Sequence, residues 1–363
     1  MTDLLRSPLH DVHVAAGASM TDFAGWSMPL RFAGDLAEHR AVRERAGLFD
    51  LSHMAQLEVS GPDAGVALDG ALVSAVSRLV DGRARYTMLV AEDGGILDDL
   101  IVYRHSARDY LVIANAANRT IVLDQLALRS RDLSADVVDR TPHWALIAIQ
   151  GPRAAEILAP LVEADLTGLR YYASLTSAVG GVPTLVARTG YTGEDGFELA
   201  VPAEAAAGIW AQLLHAGSDH GVQACGLASR DTLRLEAGMP LYGHELTART
   251  TPYEVGLGRV VHLDHEFVGH GALGVRADRP TGERLIGLQG TGRRAARSGN
   301  RVLGAGADVG EVTSGVLSPT LGHPIAMALT SSSTEPGDTL DVDVRGTLHQ
   351  MTVTKLPFYR RQK

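Results

Sequence analysis

The chain has 363 residues, 45% of them hydrophobic and 21% charged, with a formal net charge of −9 at pH 7. That is an ordinary globular composition with core enough for two or three domains, and no basic run marks a nucleic-acid partner. A single cysteine, Cys225, excludes an internal disulfide and a cysteine-rich zinc site, and no stretch of 18 apolar residues is present to span a membrane. The N-terminal MTDLLRSPLHDVHVAAG lacks a basic segment followed by an apolar one, so no secretion signal is expected and the setting suggested is cytoplasmic.

Residues 1–60 mix polar turns with short apolar runs. GDLAEHRAVRERAGLFD reads as a helix stopped by Gly47, and MAQLEVSG as a strand ending at Gly61 and Pro62. PDAGVALDGALVSAV has helical spacing. ARYTMLVAEDGGILDDLIVYRH and RDYLVIAN predict a hairpin and a further strand, and RTIVLDQLALRSRD a helix. HWALIAIQGPRAAEILAPLVEA reads as a strand, a Gly-Pro break and a helix beginning near Pro152. The loop GYTGEDG separates PTLVART from the strand FELAVP. AEAAAGIWAQLLHAG and CGLASRDTLRLEAG are two helices, each closed by glycine. From Thr281 the texture changes to short β-rich segments divided by GTGRR, GAGADVG, SPTLGHP and TEPGD. Such spacing predicts a small all-β barrel or sandwich. The boundary falls within 272–282, giving an α+β region over 1–275 and a β domain over 282–360.

Three stretches carry polar groups in unusual places. In DGGILDDLIVY, Asp98 and Asp99 are neighbours in a strand, so they point to opposite faces and at least one is directed into the protein or a cleft. A buried carboxylate must be paired, hydrogen-bonded or functional. In GYTGEDGFELAVP, Tyr191, Glu194, Asp195 and Glu198 surround three glycines, which let a backbone approach a ligand closely. Glu198 lies between Phe197 and Leu199 and points away from them; pattern alone puts it toward solvent. In GLASRDTLRLEAGMPLYGHE, Arg230 and Arg234 share a helix face, with Asp231 and Glu236 as available counter-charges. By itself that reads as a salt-bridged helix surface.

Other motifs fail on spacing. The histidines of HEFVGH are five apart, roughly 140° around a helix, where a zinc protease needs a separation of four. Neither GYTGEDG nor GAGADVG matches a dinucleotide or phosphate loop, and no GxSxG elbow occurs. His53, in DLSHM, reads as a structural histidine, and no metal site is expected.

The segments FAGWSMPLRF, EHRAVRERAGLFDLSHM, GGILDDLIVY, GYTGEDGFE, GLASRDTLRLEAGMPLYGHE, TSGVLSPTLGHPIAMA and KLPFY occur in this order along the whole chain. Together they closely resemble the aminomethyltransferases, the T-protein family of the glycine cleavage system. The resemblance implies a three-domain folate-binding fold around a central opening, with a C-terminal all-β barrel, and 1–275 then holds two interleaved α+β domains. It implies a reaction in which the aminomethyl group on the lipoyl arm of a carrier (H) protein yields ammonia. The methylene carbon passes to tetrahydrofolate, giving 5,10-methylenetetrahydrofolate. A related folate-binding iron–sulfur repair protein carries KGCYxGQE where this chain has TGYTGEDGFE. The related dehydrogenases add a flavin domain for which this chain has no room. A folate-dependent demethylase acting on small methylated compounds stays open.

Carried over residue by residue, the resemblance makes Asp99 the essential carboxylate near the reactive folate nitrogens. Partial burial is expected to raise its basicity, while Asp98 is structural. Glu198 then binds the pterin ring, which overrides the solvent-facing reading, and Arg230 is a substrate-binding arginine. Tyr86, Met54, Tyr191 and Asn115 line the folate channel. Arg360 reaches toward the glutamate tail, and the cluster Arg293, Arg294, Arg297 and Arg301 reads as a solvated face. Tetrahydrofolate is the co-substrate and the lipoylated carrier the partner; metal, nucleic acid and membrane are not expected.

Overall fold

A computed structural model describes residues 4–278, 282–331 and 333–361. Residues 279–281 of the expected boundary lie outside the described residues. Two compact units divide the chain. The first holds the described residues up to Ala71, then Ala75–Thr87 and Leu100–Arg230; the second holds Leu72–Ser74, Met88–Asp99 and the described residues from Asp231 onward.

The first unit is built on a six-stranded sheet. Its order is Ser174–Val179, Val182–Ala187, Gly196–Pro202, Trp144–Gln150, Gly47–Asp50 and Gln223–Ala224. WALIAIQ alternates, so Ala145, Ile147 and Ile149 share one face with Phe197, Leu199 and Val201 of the neighbouring strand. That face packs on Ile157 of the Ala154–Leu158 helix and on Ile209, Trp210 and Leu213 of the Ala206–Ala216 helix. Truncating Leu199 to alanine in this core would cost about 2–5 kcal/mol. The opposite face carries Leu146, Ala148 and Gln150, with Glu198 in register with Ala148 on one side and Ala187 on the other. The small alanines leave the glutamate room to stand.

A five-stranded sheet runs in the order Arg83–Val90, Ile96–Ser106, Asp109–Ala114, Ala55–Ser60 and Asp136–Asp139. A three-stranded sheet near the N-terminus pairs Trp26–Arg31 with Leu5–Arg6 in parallel and with Ser19–Phe23 antiparallel. Neither that sheet nor the helix His10–Ala15 was signalled by pattern. The Asp35–Glu44 helix ends before Gly47, which instead opens the strand Gly47–Asp50. A β-carbon at Gly47 would lie 2.5 Å from Val42 and 2.6 Å from the Cys225 sulfur, so close packing rather than helix termination requires the glycine. The helix expected after Pro152 is only Ala154–Leu158; it tightens into a 3-10 turn, Ala159–Leu161, at Pro160.

In the second unit, six strands close a barrel: Arg284–Gly290, Pro324–Thr330, Ala307–Leu317, Arg301–Gly304, Thr339–Val344 and Thr347–Thr354. Leu288, Val302, Val312, Ala326, Ala328, Val342 and Val353 fill its interior. Closure removes free strand edges, and the alternation of these short segments supplies the inward apolar set.

Candidate functional site

Glu198 is half-buried, and its carboxylate turns inward rather than to water. Thr189 Oγ1 donates to its Oε2 at 2.5 Å, and Tyr103 Oη donates to the same oxygen at 3.3 Å. The two hydroxyls lie 3.1 Å apart, both buried. Burial, reinforced by the negative charge of Glu198, pushes the Tyr103 hydroxyl well above its ordinary value, so it remains a donor. Oε1 makes no hydrogen bond to the described residues.

Beside this carboxylate, the Arg230 guanidinium stacks over the Tyr191 ring, 4.8 Å from its centroid. Burial holds the Arg230 pKa below its ordinary value, against the pull of Glu198 and Tyr191. Its guanidinium hydrogen-bonds none of the described side chains. Five forked donors with no hydrogen-bond partner among the described side chains, next to an acceptor oxygen and a flat ring, suit a planar ligand that both donates and accepts hydrogen bonds.

The scaffold that fixes these groups is dense. Gln150 donates to the Thr189 carbonyl at 3.0 Å and accepts from Thr192 Oγ1 at 2.9 Å. A β-carbon at Gly190 or Gly196 would collide with the Gln150 side chain. Gly190 and Gly196 thus admit Gln150, a second reason for glycine here beside the close approach to a ligand expected of this loop. Glu194 is tied to Arg43 at 2.9 Å, and Asp195 to Arg188 at 3.0 Å. Glu38 accepts from the Gly226 N–H at 2.8 Å and from Ser229 Oγ at 3.3 Å, holding the start of the Leu227–Glu236 helix from which Arg230 projects.

His53 is buried edge-on to Phe23, with ring centroids 5.3 Å apart. Burial lowers its pKa to about 4; the charge of Arg230 adds to this and that of Asp50 opposes it. Asp50 is itself buried, which alone would raise its pKa, yet His13 at 2.9 Å, Ser52 and Ser7 together hold it below the usual carboxylate value. Met54 and Asn115 adjoin the paired residues Ala55 and Ala114, so they flank the same end of that strand pair. Tyr86 is half-buried in the strand Arg83–Val90.

Asp98 and Asp99 belong to the second unit. Alternation sets Asp98 on the buried face with Ile96 and Leu100, at 0% exposure, and leaves Asp99 half-buried on the other. Tyr242, which the motif reading passed over, lies near both: burial and then the charges of Asp98 and Asp99 push its hydroxyl above the ordinary value. Arg360 is exposed beyond the last barrel strand, as are Arg293, Arg294, Arg297 and Arg301.

The salt-bridged helix surface expected for Arg230 and Arg234 is not what forms. Arg234, 1% exposed, binds Glu245 at 3.0 Å and Ser314 at 2.7 Å as well as Asp231 at 2.8 Å. Glu236 accepts from the hydroxyls of Ser318 and Thr320. Among the described residues no cluster of His, Cys, Asp or Glu is arranged to hold a metal ion, and no helix is long and apolar enough to cross a membrane.

The family profile of the GCVT N-terminal domain matches residues 9–265, and that of the glycine cleavage T-protein C-terminal barrel domain matches residues 283–360. The chain belongs to the glycine cleavage T-protein family. It is 54% identical to the aminomethyltransferase of Saccharopolyspora erythraea, over 99% of this chain and 100% of that one. It is also 54% identical to the aminomethyltransferase of Streptomyces coelicolor, over 100% of this chain and 99% of the other. The crystal structure of glycine cleavage system aminomethyltransferase T from Bartonella henselae superposes with a TM-score of 0.93. That protein is 35% identical, with 99% of this chain and all of that one covered. The chain is therefore an enzyme, an aminomethyltransferase of the glycine cleavage system, with the α+β fold and C-terminal barrel that its sequence suggested.

Proposed function

We propose that this enzyme takes an aminomethyl group from the dihydrolipoyl arm of a carrier protein, releases ammonia, and passes the methylene carbon to tetrahydrofolate. The product is 5,10-methylenetetrahydrofolate. The observation that carries the reading is that the Glu198 carboxylate, its Oε1 unused by any described side chain, lies within electrostatic reach of an Arg230 guanidinium that stacks on Tyr191 and hydrogen-bonds no described side chain. The aminopyrimidine edge of a pterin offers N–H donors for Oε1, and the guanidinium serves carbonyl or carboxylate acceptors. Residues 1–275 are taken as the folate-binding region and 282–360 as the barrel domain, and the cytoplasm is the proposed setting.

The balance of bonds defines what the chain must supply. One C–S and one C–N bond of the aminomethyl group break, and two C–N bonds form to folate nitrogens. The two N–H protons given up appear on ammonia and on the lipoyl sulfur. Asp99 is the residue we assign to this traffic: a half-buried carboxylate orients the attacking amine, accepts a proton, and stabilises developing positive charge. Met54, Asn115 and Tyr86 are assigned to the walls of the ligand channel, and Arg360 to the glutamate tail.

The test is ammonia release from aminomethylated carrier, with and without tetrahydrofolate, for wild type and Asp99→Asn. Folate-dependent release should fall by about a hundredfold or more in the variant, while folate binding survives. Near-full turnover by a folded Asp99→Asn protein sinks the assignment of Asp99. Folate binding without any release by wild type sinks the transferase reading.

A further inference from the structure

Three oxygens meet in the interior of the first unit: Tyr103 Oη, Thr189 Oγ1 and Glu198 Oε2. They make three contacts, and the two hydroxyls own only two protons. Thr189 lies closest to the carboxylate, at 2.5 Å, so its proton belongs to that bond. The Tyr103 proton is left to be shared between Thr189, at 3.1 Å, and Glu198, at 3.3 Å. Either distribution directs donors at Oε2 and none at Oε1. A carboxylate oxygen accepts about two hydrogen bonds, so Oε2 is half or fully occupied by the protein, according to where the Tyr103 proton points, while Oε1 keeps both of its acceptor sites.

The anchoring is one-sided in exposure as well. Tyr103 is 2% and Thr189 1% exposed, whereas Glu198 is half-buried between Ala148 and Ala187. Thr189 is in turn fixed through its carbonyl by Gln150, whose own amide oxygen is held by Thr192. A free glutamate side chain has three rotatable bonds, and ordering it is a cost that a ligand would otherwise meet on binding. Here the ordering accompanies folding.

We propose that Thr189 and Tyr103 are positioning residues for Glu198, clamping Oε2 from the interior so that Oε1 is presented to the N–H donors of the ligand. The inference rests on the reading of Glu198 as a ligand-binding carboxylate. Neither hydroxyl need touch the ligand itself. Their removal should therefore weaken ligand capture while leaving turnover at saturation close to normal.

The experiment compares Thr189→Val, Thr189→Ser, Tyr103→Phe and Glu198→Gln in the full-length enzyme. It measures the tetrahydrofolate Kd by calorimetry under anaerobic conditions, KM and kcat for folate-dependent ammonia release, and Tm. Losing one hydrogen bond to a charged group should raise Kd and KM for Thr189→Val by about tenfold, with kcat nearly unchanged. Thr189→Ser, which keeps the hydroxyl, should restore Kd to near the wild-type value. Tyr103→Phe keeps the ring and should show a smaller rise, guarding against a Thr189→Val protein that fails to fold. If Glu198→Gln loses folate while Thr189→Val and Tyr103→Phe bind like wild type, the clamp is refuted and the ligand role of Glu198 stands. If Glu198→Gln also binds like wild type, both are refuted. An equal loss of kcat in the serine and valine variants would likewise overturn the positioning role.

Discussion

Glu38→Gln removes a single charge from the first unit and should both soften the fold and disturb Arg230. The carboxylate is fully buried, and its two oxygens serve four donors. Oε1 accepts from the N–H groups of Phe32, at 2.6 Å, and Gly34, at 3.0 Å; Oε2 accepts from Gly226 and Ser229. A glutamine keeps one acceptor oxygen and replaces the other by a donor. Turned toward Phe32 and Gly34, the new NH₂ would face two backbone donors that cannot rotate. Turned the other way it meets Ser229, whose hydroxyl also donates to the Gly226 carbonyl at 2.9 Å and can turn to accept. The Gly226 N–H is then the group left unpaired.

An orphaned buried donor costs about 1–3 kcal/mol, and weakening the charge-assisted bonds that remain adds about 1 kcal/mol. A loss of about 2–4 kcal/mol corresponds to about 5–12 °C in melting temperature for a unit of this size. Differential scanning calorimetry of Glu38→Gln against wild type reads it directly. The start of the helix is also the turn to which Arg230 is bonded, its N–H donating to the Gly226 carbonyl at 3.2 Å. The folate KM should therefore rise with the loss of stability. A variant melting within about 1 °C of wild type would refute the account of Glu38 as the brace of that helix.

Two further outcomes follow from buried charge. Arg234→Met leaves Glu245 buried without its partner and should cost about 3–5 kcal/mol. Arg234→Met/Glu245→Gln should recover a good part of that loss in the same melts; a double variant no better than the single one would contradict a charge-pair origin. For His53, the folded value of about 4 lies below the ordinary 6.5, so between those pH values the unfolded chain binds the extra proton. Stability from this group is complete above pH 6.5 and declines as pH falls toward 4, by about 3 kcal/mol in total. His53→Gln should flatten the fall of Tm across that window, and an unchanged acid slope would exclude His53 as its source. The depressed carboxyl of Asp50 acts only below this range, where its stabilisation is lost as it protonates.

Periodicity made much of the architecture readable. WALIAIQ, a nearly continuous apolar run, and FELAVP form adjacent strands of one sheet, with Phe197 and Leu199 turned to the core and Glu198 to the other face. The short β-rich segments after Thr281, divided by turn-rich breaks, close into a barrel. The N-terminal sheet was illegible for a physical reason: its strands are two to six residues long and largely half-exposed or exposed, too brief for a two-residue period to register. The scaffold of the candidate site was hidden by sequence distance. Glu38 and Gly226 are 188 residues apart, and Tyr103 and Thr189 are 86 apart. No local pattern links such pairs, since a hydroxyl in an apolar strand reads the same whether it meets a carboxylate or a backbone carbonyl.

The adjacent aspartates mark where local reasoning stops. A two-residue period sends Asp98 and Asp99 to opposite faces whatever surrounds them. It does not say which face is dry. Ile96, Leu100 and Val102 lie on the face of Asp98, so it is Asp98 that loses water altogether, while Asp99 shares the half-buried side with Leu97 and Ile101. A carboxylate that must exchange protons or touch a substrate needs that partial access, and one without it is suited to holding structure. Arg230 and Arg234 divide in the same way. They are four residues apart, one stacked on Tyr191 with unspent donors and the other committed to Glu245, Asp231 and Ser314. In the first pair the residue assigned to the ligand is the one that keeps partial exposure, and in the second it is the one whose guanidinium no described side chain engages by hydrogen bond.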